Sequence, residues 1–127
     1  ATVVTDTGVI SDDILRRLDD TTLLVLEANY DPHMLRFGPY QPFLKQRVAS
    51  DEGHLSNEMA AQALLMMKRP NFMQVILAHR SENNNNAVLV TQTIGKMLVD
   101  GGVRIGPEMK LQHGQPNEIV SIQSVER

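Results

Sequence analysis

Four ionisable side chains stand where the chain changes direction. Asp6 follows Thr2-Val3-Val4-Thr5, a β-branched run that reads as a strand. Glu27 closes the apolar run Thr22–Leu26, and His79 closes a second one, Met73–Ala78. His54 comes after a glycine and just before the start of a helix. In α/β sheets the carboxyl ends of strands form the edge where ligands and catalytic groups gather, so these four side chains could share one rim. Carboxylates and imidazoles together can move protons or ligate a hard or borderline cation. There is no cysteine, which excludes disulfides and thiolate metal sites and is compatible with a reducing cytoplasm. Taken singly, each residue has a plainer reading: an aspartate after a strand is commonly a turn residue, and a histidine at a strand end is commonly structural.

The elements that must position these groups are legible in outline. Ser11 can cap a helix whose first turn carries Asp12 and Asp13, favourable at the positive end of the helix dipole, with Ile14, Leu15 and Leu18 on its apolar face. Thr22–Leu26 is continuous enough to be a strand buried on both faces. The long connection 28–51 is punctuated by Pro32, Gly38, Pro39 and Pro42, with short helices expected around His33–Phe37 and Phe43–Ala49. Its aromatic residues, Tyr30, Phe37, Tyr40 and Phe43, suggest a segment packed down on the core. Ser56 or Asn57 can cap a helix running to about Lys68, with Met59, Ala60, Ala63, Leu64 and Met67 on one stripe. Four asparagines, Asn83–Asn86, lead into a helix from about Ala87 to Asp100 closed by Gly101-Gly102. Met109–Gln112 and Ile119–Val125 alternate as a terminal hairpin would. Alternating strands and helices argue for an α/β layered architecture.

Composition bounds the function. The 127 residues, 42% hydrophobic and 21% charged, fit a single folded domain. No apolar run approaches the roughly 20 residues of a membrane span, and no signal peptide is visible. The net charge of −3 means that any contact with nucleic acid must come from a local basic patch. Arg36, Lys45 and Arg47 form the candidate patch; they could equally be surface charges. The first residues read as a strand already under way, which suggests a longer polypeptide.

The stretches TDTG (Thr5–Gly8), LEANYD (Leu26–Asp31), MLRFGPYQPFLKQR (Met34–Arg47), SDEGHLSNEMAA (Ser50–Ala61) and LAHRSENNNN (Leu77–Asn86) occur in the order and spacing seen in YycJ/WalJ-like proteins. These form a metallo-β-lactamase-fold branch related to ribonuclease Z. The resemblance covers roughly residues 1–95, and GPY…FLKQR and GHLSN are long matches. It implies an α/β fold, specifically the C-terminal half of a four-layer αββα metallo-β-lactamase sandwich, with 1–127 as one incomplete domain. It also implies two divalent metal ions, Zn or Mn, at one edge of the sheets. By this resemblance Asp6 would bridge the metals and His79 would be a terminal ligand. His54 would assist protonation of the leaving group, and Glu27 would orient and charge it. An adjacent carboxylate favours the protonated imidazole that such a role needs. Asn84 and Asn85 match family asparagines, and their expected part is to hold the His79 loop by bonds to backbone.

The resemblance implies a phosphodiester hydrolase, a DNA 5′-to-3′ exonuclease-like nuclease acting in the cytoplasm. The alternatives are a small-molecule phosphodiesterase on the same scaffold, or an inert fragment or subunit. The fold's HxHxDH motif occurs nowhere in this chain, so the missing N-terminal half is an expected partner and the isolated chain is expected to be inactive. Other readings also stay open: Glu27 as a solvated strand-end carboxylate, and His54 as a residue bonded to backbone where the helix starts. His33 and His113 match nothing catalytic and read as surface residues. Tyr30 stands where relatives often have His, Arg80 where they commonly have Leu, and Asn83 replaces a usual acidic residue.

Overall fold

A computed structural model describes residues 2–5, 7–50, 53–78, 80–81 and 84–114. The elements run β1 (Thr2–Val4), α1 (Asp12–Leu18), β2 (Leu23–Glu27), α2 (Pro32–Phe37), α3 (Pro42–Ala49), α4 (Asn57–Met66), β3 (Met73–Ala78), α5 (Ala87–Asp100) and β4 (Met109–His113). The four strands form one sheet in the order β1-β2-β3-β4, and every neighbouring pair is parallel. Parallel neighbours need crossovers, and crossovers of this kind are right-handed almost without exception. Strands added in one direction with one hand put their connecting helices on one face of the sheet.

The core agrees with that topology. Leu24, Leu26, Val75 and Leu77 of the sheet share a buried cluster with Ala60 and Leu64 of α4 and with Val90, Ile94 and Leu98 of α5. Alternation sends the intervening residues, Leu23, Val25, Ile76 and Ala78, to the opposite face, where they form a second buried cluster. All five residues of β2 are buried, which is why its sequence reads as a continuous apolar run. Each side chain such as Leu26 or Leu64 stabilises the fold by about 1.5–3 kcal/mol relative to leaving it in water.

Capping follows the sequence closely. The Ser11 hydroxyl accepts from the Ile14 amide, and the Ser56 hydroxyl from the Met59 amide, at 3.2 and 3.1 Å. Helix α4 stops at Met66 rather than Lys68, because Met67 turns to an extended conformation ahead of Pro70. Its expected stripe is buried at Ala60, Ala63, Leu64 and Met67, while Met59 is only partly covered.

Two expectations change. Tyr30 is buried, but Phe37 and Phe43 are 69% and 67% exposed, and α3 buries no residue at all. The connection is therefore held by its backbone, by Tyr30 and by Leu35 of α2, and not by Phe37 or Phe43. Met109–His113 is a fourth parallel strand beside β3; the second arm of the expected hairpin, Ile119–Val125, lies outside the described residues. Among the described residues no helix is long and apolar enough to cross a membrane.

Candidate active site

Glu27 ends β2, in register with Ala78 at the end of β3, while Val4 at the end of β1 faces Leu26. The carboxyl ends of three neighbouring strands thus lie along one edge. Thr5 and Ala78 are followed in sequence by Asp6 and His79, which lie outside the described residues.

The segment that meets this edge comes from α3. After Ser50 the chain folds back so that the Gly53 amide donates to the Ser50 carbonyl and the His54 amide to the Val48 carbonyl, both at 3.0 Å. A Cβ at Gly53 would collide with the carbonyl oxygens of Arg47 and Val48. Glycine is required here by close approach of backbone, and the turn it permits sets His54 beside β2. Residues 54–57 then run alongside 28–30: the Asn29 amide donates to the Leu55 carbonyl and the Asn57 amide to the Tyr30 carbonyl, each at 2.9 Å.

This arrangement brings Glu27 and His54 together. One carboxylate oxygen, Oε1, lies 2.9 Å from His54 Nδ1, and the other, Oε2, accepts from the Leu55 amide at 3.0 Å. Glu27 has no solvent exposure, whereas the His54 side chain keeps 28% of its surface exposed. The solvated-carboxylate reading of Glu27 is therefore overturned: burial has replaced its water with protein donors. His54 is bonded to backbone through its own amide, but its ring is committed to Glu27. An ionised carboxylate can only accept, so opposite an ionised Glu27 the donor of this bond is His54 Nδ1.

The asparagine loop is bolted to the same edge. Asn57 and Asn85, both buried, pair reciprocally through their amides: Asn57 Nδ2 donates to Asn85 Oδ1 at 3.0 Å, and Asn85 Nδ2 donates to Asn57 Oδ1 at 2.8 Å. Asn85 also donates to the Ala28 carbonyl and accepts from the Asn86 amide. Asn86 caps α5 by accepting from the Leu89 amide at 2.8 Å. Asn84 contributes through its carbonyl, which accepts from the Asp31 amide, and through its amide groups, which both donate to the Ser81 hydroxyl. Asn85 thus bonds side chain to backbone at Ala28 and Asn86, while Asn84 works through Ser81; His79, whose loop both were expected to hold, lies outside the described residues. Asn57 is the residue that sequence reading missed, since it figured only as a possible cap. The signal was present: Ser56 already fills the cap, leaving Asn57 as a second capping-type residue at the first position of a largely apolar helix.

Nearby titratable groups feel burial. Tyr30 is pushed above its ordinary value by burial, with Glu58 adding to the effect. The Glu58 carboxyl is also pushed up by burial, with Asp31 contributing, against the lowering effect of its own backbone amide bond. His113 donates or accepts at 2.9 Å to the Thr91 hydroxyl, and it is pushed down by burial and then by the charge of Arg80. His33 and His113 are exposed, as read from sequence.

Arg36 and Arg47 are exposed and Lys45 is half-buried, with the Lys45 ammonium donating to the Arg36 carbonyl at 2.8 Å. They lie on the helices that lead into His54. Among the described residues no three of His, Asp and Glu stand together as a metal-ligand set.

Most of this chain is similar to the YycJ/WalJ proteins. It is 34% identical over 115 residues to "Exodeoxyribonuclease WalJ" of Streptococcus pneumoniae, in both serotype 2 strain D39 and strain R6, covering 91% of this chain and 43% of each relative. It is 32% identical over 123 residues to "Exodeoxyribonuclease YycJ" of Bacillus anthracis, covering 97% of this chain and 47% of the relative. The chain is thus a homologue of proteins named as exodeoxyribonucleases, and it spans about half the length of the curated relatives it matches. No family model matches it, and no solved structure matches it significantly.

Proposed function

We propose that this chain is the proton-handling part of a metal-dependent phosphodiester hydrolase, a DNA exonuclease, built on a metallo-β-lactamase-like αββα sandwich. The observation that carries the proposal is the Glu27–His54 pair, with a wholly buried carboxylate holding a partly exposed imidazole at the carboxyl edge of a parallel sheet. The names of the relatives support a nuclease, and a sheet apolar on both faces is compatible with a layer on each side.

In this reading His54, charged and oriented by Glu27, delivers a proton from Nε2 to the oxygen leaving phosphorus. Glu27 stabilises the imidazolium before transfer and fixes its ring by the bond to Nδ1. The Leu55 amide holds the carboxylate in place, so the pair does not reorganise as charge moves. Asp6 and His79 would contribute ligands to a centre of two divalent ions, Zn or Mn, completed by residues in the part of the relatives' length that this chain does not span. When bound, those ions supply Lewis-acid chemistry to the phosphodiester. The cytoplasm suits a DNA substrate and a chain without cysteine.

The test is made on the full-length protein with end-labelled DNA and with a small phosphodiester, before and after removal of divalent ions. Metal-dependent release of mononucleotides from one end supports the proposal, and Asp6→Ala and His79→Ala should then each lower metal content and activity together. Efficient cleavage of the small diester with no attack on DNA would favour a small-molecule phosphodiesterase, the reading that the net negative charge favours. Full metallation of both variants would remove Asp6 and His79 from the centre.

A further inference from the structure

Past the carboxyl edge of the sheet the chain continues as three adjacent segments. Residues 28–31 run in the middle, between the segment that carries His54 and the one that follows β3. On one side the Asn29 amide donates to the Leu55 carbonyl and the Asn57 amide to the Tyr30 carbonyl. On the other side the Ala28 amide donates to the Ala78 carbonyl at 3.1 Å. There too the Ser81 amide donates to the Asn29 carbonyl, and the Asp31 amide to the Asn84 carbonyl, each at 2.8 Å. Ala78 and Ser81 flank His79 in sequence. The middle segment therefore stands between the two stretches from which His54 and His79 come.

The Asn57 and Asn85 side chains join the two outer segments directly. Asn57 has no solvent exposure and Asn85 only 4%. Asn85 Nδ2 donates to Asn57 Oδ1 and to the Ala28 carbonyl, and its Oδ1 accepts from Asn57 Nδ2 and from the Asn86 amide. A side-chain amide has two donor hydrogens and two lone pairs, so Asn85 is fully used. Stability alone does not call for such a pair. Two apolar side chains of similar shape would serve about as well, because the net gain from a buried hydrogen bond is small. The amides add direction: two reciprocal bonds fix the separation and orientation of the segments that carry them.

Asn57 is the first residue of α4 and lies three positions after His54. Between them Leu55 is tied on both sides, its amide to Glu27 Oε2 and its carbonyl to the Asn29 amide. The His54 ring is held in turn at Nδ1 by Glu27. Little slack remains between the asparagine pair and the imidazole. Proton delivery is sensitive to slack, since a catalytic group about 1 Å out of place can lose about 10²-fold in rate. We propose that Asn57 is a positioning residue: its reciprocal bonds with Asn85 set where His54 stands relative to the segment that follows β3. Being buried, Asn57 acts through His54 and not by touching substrate. This deepens the reading of His54 as a general acid and rests on it.

The experiment measures kcat and KM of the full-length protein on a nucleotide phosphodiester and on a nitrophenyl phosphodiester, whose leaving group needs no proton. The proteins compared are wild type, Asn57→Ala, Asn57→Ser, His54→Ala and the double variant, each assayed below its melting temperature. Asn57→Ala should lower kcat on the nucleotide diester by up to about 10²-fold, with KM little changed. On the nitrophenyl ester its kcat should stay near wild type. Its metal content should also hold, since Asn85 keeps its bonds to Ala28 and Asn86. The double variant should be no slower on the nucleotide diester than His54→Ala alone, because Asn57 acts through a ring that is no longer there. Asn57→Ser keeps a hydroxyl for Asn85 and should fall between Asn57→Ala and wild type; it carries the test if Asn57→Ala does not fold. Equal losses on the two substrates in the Asn57 variants, or a further loss on top of His54→Ala, would reduce Asn57 to a structural role and overturn the proposal. A substrate-selective loss in His54→Ala with none in the Asn57 variants overturns the positioning role and leaves the acid reading intact. Equal losses on both substrates in His54→Ala, with the metal still bound, overturn both.

Discussion

A carboxylate without solvent exposure keeps its charge only where donors replace the water it has lost. At Glu27 such donors include the His54 imidazole and the Leu55 amide, and their sequence distance of 27 and 28 residues shows that only the folded chain supplies them. Sequence alone marked Glu27 and His54 as candidates but could not tell a buried carboxylate from a solvated one, since both follow an apolar strand. Asp6 and His79 were as legible, and they lie outside the described residues. His113 shows the same physics with the opposite charge. Although its surface is largely exposed, its pKa is pushed down by partial desolvation and then by Arg80, so the folded state disfavours the proton that the unfolded chain accepts near pH 6.5. For a histidine with a lowered value, the unfolded state binds more protons in that window, so stability is fully present above it and falls as the pH drops through it. Unfolding midpoints measured between pH 5 and 8 should fall on acidification more steeply for wild type than for His113→Gln. Parallel curves for the two proteins would show that His113 contributes nothing to the pH dependence.

At the scale of elements, caps and apolar periodicity carried most of the information. Ser11, Ser56 and Asn86 each start a helix by accepting an amide three residues on, and the continuous runs of β2 and β3 became central parallel strands. Partner choice was less legible. Alternation at Met109–His113 identifies a strand but is silent on its neighbour, and the structure pairs it in parallel with β3. Exposure of Phe37 and Phe43 was hidden for a similar reason, because an aromatic residue reads as core until the helix bearing it is shown to bury nothing. The Asn57–Asn85 clasp joins α4 to the loop before α5 and to the Ala28 carbonyl. Asn85→Ala strands several buried polar groups, each costing about 1–3 kcal/mol when left unsatisfied. Denaturant unfolding of the full-length protein should show Asn57→Ala and Asn85→Ala each clearly destabilising. The double variant should lose well under the sum, because the first change already removes the shared bonds. Additive losses would mean that the two amides are not energetically coupled.

At the scale of the molecule, this chain supplies a four-stranded parallel sheet, helices α1, α4 and α5 on one face and a glutamate–histidine pair at its edge, over about half the length of its named relatives. The resemblance in sequence pointed to that family before any fold was in view, because GHLSN and GPY…FLKQR are long motifs. Their structural reason is now visible in Gly53, whose missing side chain lets α3 turn back to present His54. The central claim is that His54, held by Glu27, protonates the leaving oxygen. The most direct measurement is kcat/KM of the full-length wild type and His54→Ala on a nucleotide phosphodiester and on a nitrophenyl phosphodiester, whose leaving group needs no proton. General acid assistance is worth about 10²- to 10⁴-fold, so the variant should lose activity in that range on the nucleotide diester and retain most of it on the nitrophenyl ester, with metal content unchanged. An equal loss on both substrates, with the metal still bound, would contradict the acid role of His54.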